Sequence, residues 1–368
     1  MSYVSRRHVL GLGAAAVTSA LFSRIGFASE EPHFVDKRWP TNPLNAIGCI
    51  NTVVTRDLDA SLRFYCDLLG YELLKRSTLG AKRPTVEGVG DLGRRYALVR
   101  TNPNGSPEIG MVRLLESPAE ARPNRPRPDA TIENPGLCAL SLMSRDIAAS
   151  HERLVRAGIE VVSEPYYYNH LKMVPLPGAR YQSRDIHVKT FVSYAPSTEQ
   201  VFFTQVLDID GRPMKWEYPG LHSPVMGRGV VTADKWPLRQ FYGAVFGLMP
   251  DRDATVWGQP SFNRLMGSTP DRPMMFGGMG DGFNMEVWEW RHIDPASVRV
   301  FPTSLDRLGY AAVTVLVDDL DEVRRRVKTA RIPVLGEGAL PTLDREFQPG
   351  IYVRGAVGEL IEVIGRNT

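Results

Sequence analysis

Two glutamates sit in largely apolar, strand-like runs: Glu286 in FNMEVWEW and Glu362 in GELIEVIG. Side chains alternate along a strand, so Leu360, Glu362 and Ile364 share one face while Ile361 and Val363 share the other. A carboxylate among apolar neighbours needs a partner, whether metal, other cation or proton, because burying it alone is costly. Desolvation raises a glutamate's pKa, which suits it to act as general base or acid on a carbonyl or enolisable substrate. The alternative is an ion pair with an arginine such as Arg228 and no chemistry at all. Trp288 lies on the same strand face as Glu286, and Trp290 continues it. That pair is either a stacking surface for an aromatic or apolar substrate or a piece of core.

A second polar tract runs from Glu164 to Lys189. Asp185, His187 and Lys189 alternate there with Ile186, Val188 and Thr190. Their polar face either lines a cup, where His187 binds a substrate anion or supplies a proton, or forms an exposed edge. The glycine-rich MMFGGMGDG from Met274 reads as a turn into a strand and lacks the strand-then-helix context of a phosphate loop. Cys49, Cys66 and Cys138 show no metal-ligand spacing and read as buried thiols, with a disulfide as the alternative in an oxidising compartment.

The elements that must position these residues repeat four times. The copies read INTVVTRDLDASLRFYCDLLGY from Ile50, ALSLMSRDIAASHERLVRAGI from Ala139, GVVTADKWPLRQFYGAVFGL from Gly229 and AVTVLVDDLDEVRRRVKTARI from Ala312. Each is an apolar strand that ends at an aspartate (Asp57, Asp146, Asp234, Asp319) placed to cap the following helix. The helices stop at Gly70, Gly158 and Gly247, residues suited to a left-handed cap, whereas the fourth copy has Ala330 and Arg331 there. Gly- and Pro-rich stretches with short apolar runs follow, the mark of antiparallel strands. Every copy therefore reads as a β-α-β-β-β module, and the fold class is α+β.

The pattern DLDASLRFYCDLLGYEL from Asp57, with DIAASHERLVRAGIEVVSEP, GYAAVTVLVDDLDEV and GAVGELIEVIG, resembles the vicinal oxygen chelate (glyoxalase/bleomycin resistance/extradiol dioxygenase) superfamily. The resemblance implies that modules pair into cupped half-barrels. Four modules then give two glyoxalase-like domains, 45–206 and 224–366, joined by a connector at 207–223. It also implies a metal held by a histidine about seven residues before the aspartate and a glutamate four after the glycine of the last turn. Glu286 follows Gly282 and Glu362 follows Gly358 at that spacing. The first-strand positions hold Ile50 or Asn51, Ala139, Gly227 and Ala312 instead of histidine, so the expected set of metal ligands is none. A divalent cofactor would lack its imidazoles.

At the N-terminus, Arg6-Arg7 precedes the apolar run GLGAAAVTSALF and a small-x-Ala end at Ala28, which reads as a twin-arginine export signal over 1–28 followed by a linker at 29–44. The expected route is through the twin-arginine translocase to the periplasm, with no membrane span after the signal is removed. A net charge of +3 spread along the chain does not suggest a nucleic-acid partner. The expectation is an enzyme taking a small oxygenated, aromatic or oxo organic substrate through isomerase or lyase chemistry, with Glu286 and Glu362 as catalysts and Trp288, Arg228 and His187 in binding. The alternatives are a metal-dependent extradiol or hydroxyphenylpyruvate-like dioxygenase and a non-catalytic sequestering protein.

Overall fold

The computed structural model describes residues 42–78, 94–102, 110–117, 120–125, 134–175, 184–248, 252–256, 274–279, 285–290, 294, 298–340, 342 and 349–366. The export signal expected over residues 1–28 lies outside the described residues. Among those described, no helix is long and apolar enough to cross a membrane.

Four strand–helix–strand units follow one another. The first has β1 (Ile47–Thr55), β2 (Glu72–Thr78), β3 (Arg95–Arg100) and β4 (Met111–Glu116), with α1 (Leu58–Leu62) continuing as a wider π-type turn over Arg63–Leu68. The second has β5 (Gly136–Ser144), α2 (Ile147–Arg156), β6 (Glu160–Val161), β7 (Tyr166–Pro175), β8 (Arg184–Tyr194) and β9 (Gln200–Ile209), trailed by the short β10 (Arg212–Pro213). The third has β11 (His222–Thr232), α3 (Lys235–Phe246), β12 (Arg252–Val256), β13 (Met274–Met279) and β14 (Met285–Trp290). The fourth has β15 (Gly309–Val317), α4 (Leu320–Thr329), β16 (Val334–Glu337), β17 (Gly350–Arg354) and β18 (Leu360–Gly365).

Each anchoring aspartate caps its helix. The carboxylates of Asp57, Asp146, Asp234 and Asp319 accept from the backbone N–H of Ala60, Ala149, Trp236 and Glu322 at 2.8–3.0 Å. Gly70, Gly158 and Gly247 end the first three helices at φ of 70–79°. In the fourth copy Arg331 takes φ 56°, a conformation that costs a residue bearing a Cβ about 1–2 kcal/mol.

The sheets do not follow the expected division into 45–206 and 224–366. One sheet runs β16-β17-β18-β15-β1-β4-β3-β2, so the first module pairs with the fourth. The other joins the second to the third across β5–β11. Both central contacts are antiparallel pairs of first strands, with Asn51 opposite Val313 and Gly229 opposite Ala139. The second sheet also curls further than a half-barrel. β12 pairs with β7, and β8 pairs with both β7 and β9, so β5, β11, β14, β13, β12, β7, β8 and β9 form a closed ring. The largest core cluster joins helix residues such as Leu58, Leu154, Leu238 and Val323 to strand residues of both sheets.

Candidate functional site

The capping aspartates give a common register for the four modules. Five residues before each lie Thr52, Ser141, Gly229 and Thr314, paired in the parallel ladders with Arg113, Phe202, Glu286 and Glu362 of the last strands. The equivalent position is therefore filled by arginine, phenylalanine, glutamate and glutamate. Because the first module pairs with the fourth, Arg113 faces Glu362; because the second pairs with the third, Phe202 shares a cup with Glu286.

In the first cup Arg113 Nη1 lies 2.9 Å from Glu362 Oε2, and both side chains are 1% exposed. Arg113 also reaches Thr52 Oγ1 at 3.2 Å. The Glu362 carboxylate accepts from Thr314 Oγ1 (2.6 Å), Tyr352 OH (2.6 Å) and Leu340 N–H (2.5 Å) as well. Burial raises the Glu362 pKa, but the Arg113 charge and the hydrogen bonds from Thr314, Tyr352 and Leu340 outweigh it, leaving a net lowering. Such a carboxylate holds its charge and is poorly placed to exchange protons near neutrality. Apolar side chains including Ile50, Leu98, Ala312, Leu340 and Leu360 fill the space around the pair.

The second cup is arranged differently. Glu286 is half-buried and accepts from Ser141 Oγ at 2.9 Å. To get there it crosses the intervening strand at Gly227, where a Cβ would lie 2.6 Å from Glu286 Oε1 and 2.9 Å from Ser141 Cβ. Trp288, two residues on, packs at 4.9 Å between centroids against Phe202. Its indole lies across Gly229, where an added Cβ would sit 3.0 Å from Cη2. Two glycines thus let one wall of the ring carry a carboxylate and an indole on its inner face. Trp288 is 3% exposed, so it forms floor rather than rim.

Several sequence-based expectations are corrected here. Glu286 and Glu362 belong to different sheets and do not share a cup. Arg228 pairs with neither: its neighbours Gly227 and Gly229 face the cup, so its own side chain leaves on the opposite face, where Nη2 donates to Gly48 O at 2.5 Å. Burial lowers its pKa, and Tyr310, Cys49 and Tyr242 lie near enough to offset part of that. His187 bonds Asp208 Oδ2 at 2.9 Å. It alternates on β8 with Phe191, which meets His151 of α2, so it lies on the outer, helix-bearing side of the ring. Lys189 is exposed beside it, but β8 pairs with both β7 and β9, so the tract is an outward face of the ring and not a sheet edge. All three cysteines are free, Cys49 and Cys138 buried and Cys66 partly so.

The residues present do not suit the divalent metal that the resemblance implies. In the first cup a guanidinium already neutralises Glu362, and Ile50 and Ala312 offer no donor atom. In the second, Ala139, Phe202 and Gly227 leave Glu286 as the sole carboxylate of the four positions, and Glu286 itself occupies the space over Gly227. Among the described residues no group of three or more His, Cys, Asp or Glu side chains gathers to hold a metal.

Sequence reasoning missed Arg113, Ser141 and the buried acids Glu199 and Glu359. Glu199 directly follows Thr198 (φ 71°) and Glu359 directly follows Gly358 (φ 87°), so both occupy the first position after the turn into a last strand. That shared position was readable. Tyr65 OH donates to Glu199 at 2.8 Å and Tyr242 OH to Glu359 at 3.1 Å. Tyr65 and Tyr242 are themselves equivalent, each the second residue of a Phe-Tyr pair in its module.

Residues 46–183 match the family model Glyoxalase/Bleomycin resistance protein/Dioxygenase superfamily. Glyoxalase I from Zea mays superposes with a TM-score of 0.50 at 14% identity, covering 87% of this chain and 92% of that one. A point mutant of the same maize enzyme gives 0.52 at 14% identity, again with 87% and 92% covered. At such identity the likeness is one of fold. No curated protein matches the chain. The family match spans residues 46–183, and the likeness of fold to these solved structures extends over most of the chain.

Proposed function

We propose that the protein is a periplasmic enzyme of the glyoxalase type that takes a small oxygenated, aromatic or oxo organic substrate into the cup of its second and third modules. Glu286 moves the proton there in isomerase or lyase chemistry, while Glu362 serves as counter-ion to Arg113 and takes no part. The observation that carries this reading is the Glu286–Ser141 contact over Gly227. Glu286 is half-buried beside the Ser141 hydroxyl, whereas Glu362 is fully buried and spends its lone pairs on four donors. Glu286 would draw the proton from a carbon beside a carbonyl and return it to the neighbouring atom, with Ser141 holding the carboxylate in line. Trp288 and Phe202 supply the apolar floor on which an aromatic or oxo compound rests.

Closure of the ring around this cup favours a second reading, non-catalytic sequestration of the same class of compound. One experiment separates the two. Protein incubated in D2O with a panel of 2-oxo acids, hydroxyketones and aryl ketones is followed by proton NMR for exchange beside the carbonyl. The enzyme reading expects exchange by the wild type and a drop of at least about a hundredfold in Glu286→Gln. Binding without exchange would favour sequestration. The export signal supports a mature chain that begins near Ser29, with a small molecule rather than a nucleic acid as partner. Replacing Arg6 and Arg7 by lysine should trap the precursor in the cytoplasm, and unchanged export would remove the twin-arginine assignment.

A further inference from the structure

The two sheets exchange tyrosine hydroxyls. Tyr65, in the wider turn that continues α1, belongs to the first module and donates at 2.8 Å to Glu199, which immediately precedes β9 of the second sheet. Tyr242, on α3 of the third module, donates at 3.1 Å to Glu359, which immediately precedes β18 of the first sheet. All four residues are buried, none more than 2% exposed. The two contacts also share their setting. Each acid closes a turn, with Ala195 N–H donating to Glu199 O at 2.9 Å and Gly355 N–H to Glu359 O at 2.8 Å. Each carboxylate accepts backbone N–H groups of its own turn, those of Ser197 and Glu199 in one case and those of Val357 and Glu359 in the other. Each turn rests on the glycine that opens a first strand of the opposite sheet: a Cβ on Gly309 would lie 3.2 Å from Ser197 O, and one on Gly136 3.7 Å from Val357 O.

We propose that these paired Tyr–Glu contacts are a proton-operated latch between the two sheets, closed while both acids are protonated and loosened when they ionise. A neutral carboxyl suits a buried seam, whereas a carboxylate there is costly and gains by opening to water. Beside Glu199 lie Arg125 from the segment before β5, Cys138 of β5, Tyr194 of β8 and Tyr310 of β15. Beside Glu359 lie Tyr242 and Arg354 of β17; Arg307 and Asp306 face Arg354, and Arg228 of β11 faces Tyr242. Burial holds Tyr65, Tyr242 and Tyr310 above the usual tyrosine range and pushes Cys138 up to about 12, so these groups stay neutral. It also pushes both glutamates from 4.5 up to about 7. The backbone N–H groups, the tyrosine hydroxyls and, for Glu359, the Arg354 charge offset only part of that rise.

A raised folded pKa supports the closed contact below the unfolded value, and that support is lost as pH rises through the folded one. The latch therefore holds in acid and slackens toward neutrality. It belongs to neither cup, so it stands or falls independently of the chemistry assigned to Glu286. Amide hydrogen exchange, corrected for the intrinsic effect of pH, reads it directly. From about pH 5 to about pH 8 the Ala195, Thr198, Gly355 and Gly358 amides, all hydrogen-bonded within the two turns, should lose protection on the order of 50-fold. Amides of β3, near the far edge of the first sheet, should keep theirs. The double variant Glu199→Gln/Glu359→Gln should hold its protection at both pH values. Glu199→Gln alone should abolish the response at Ala195 and Thr198 and leave it at Gly355 and Gly358. Unchanged protection in the wild type would overturn the latch, as would an equal loss in wild type and double variant. A loss of the same size in β3 would show unfolding of the whole chain and would also refute it.

Discussion

Replacing Glu199 by glutamine should make the protein more stable at pH 8 while changing little at pH 5. Burial raises the carboxyl pKa of both Glu199 and Glu359 from 4.5 to about 7, with backbone N–H groups and the Tyr65 or Tyr242 hydroxyl pulling partly the other way. A group with a raised folded pKa favours the folded state below its unfolded value, and that contribution is lost as pH rises through the folded one. For each acid the loss falls between about pH 4.5 and 7. At 1.36 kcal/mol per pKa unit it amounts to about 3 kcal/mol apiece. His222 acts in the opposite sense. Burial depresses it from 6.5 to about 4, so its contribution is present above 6.5 and fades on acidification. The raw stability profile therefore mixes the two, and the difference between variant and wild type isolates one acid. Glutamine keeps an acceptor for Tyr65 and carries no charge at any pH. Urea unfolding at pH 5, 6, 7 and 8 should show the advantage of Glu199→Gln growing by about 3 kcal/mol across the series. Parallel curves for variant and wild type would refute the reasoning.

The first cup gives a second test: Arg113→Met strands Glu362 in an apolar interior and should cost about 3–5 kcal/mol in chemical denaturation, while adding Glu362→Gln should recover much of that loss. If the single and double variants are equally destabilised, the pair is not the source of the cost. Gly227→Ala should displace Glu286 from Ser141, because its Cβ would sit 2.6 Å from Oε1, and should reduce carbonyl-adjacent exchange by an order of magnitude or more; full exchange would separate Glu286 from the chemistry. Arg331→Gly relieves the left-handed backbone at the end of α4 and should raise stability by about 0.5–1 kcal/mol, with no gain in the urea midpoint as the contrary result.

Local structure was legible because it depends on neighbours in sequence. Apolar alternation, the aspartate caps and the terminal glycines place β1, β5, β11, β15 and their helices, and the four copies reinforce one another. Module pairing was not legible, since the first strands are alike and nothing local says which partner each will meet. That choice governs the site. Glu286 and Glu362 are equivalent in their own modules, yet one meets Phe202 and Ser141 while the other meets Arg113, which lies 249 residues away in sequence. Arg228 was legible only as a cation available to a carboxylate; the direction of its side chain depends on Gly227 and Gly229 giving their face to Glu286 and Trp288.

The nesting of modules also sets a timetable for assembly. The second and third modules are consecutive, so their ring can close as soon as both have left the ribosome. Ile47 pairs with Leu316, so the first module must wait for most of the chain to be made before its own sheet is complete. Until then β1 offers a bare edge beside an already closed neighbour. Slow, long-range pairing of this kind should dominate refolding kinetics. A chain cut short before β15 would carry an N-terminal module with no strand to dock on, although most of that module lies at the opposite end of the sequence from the cut.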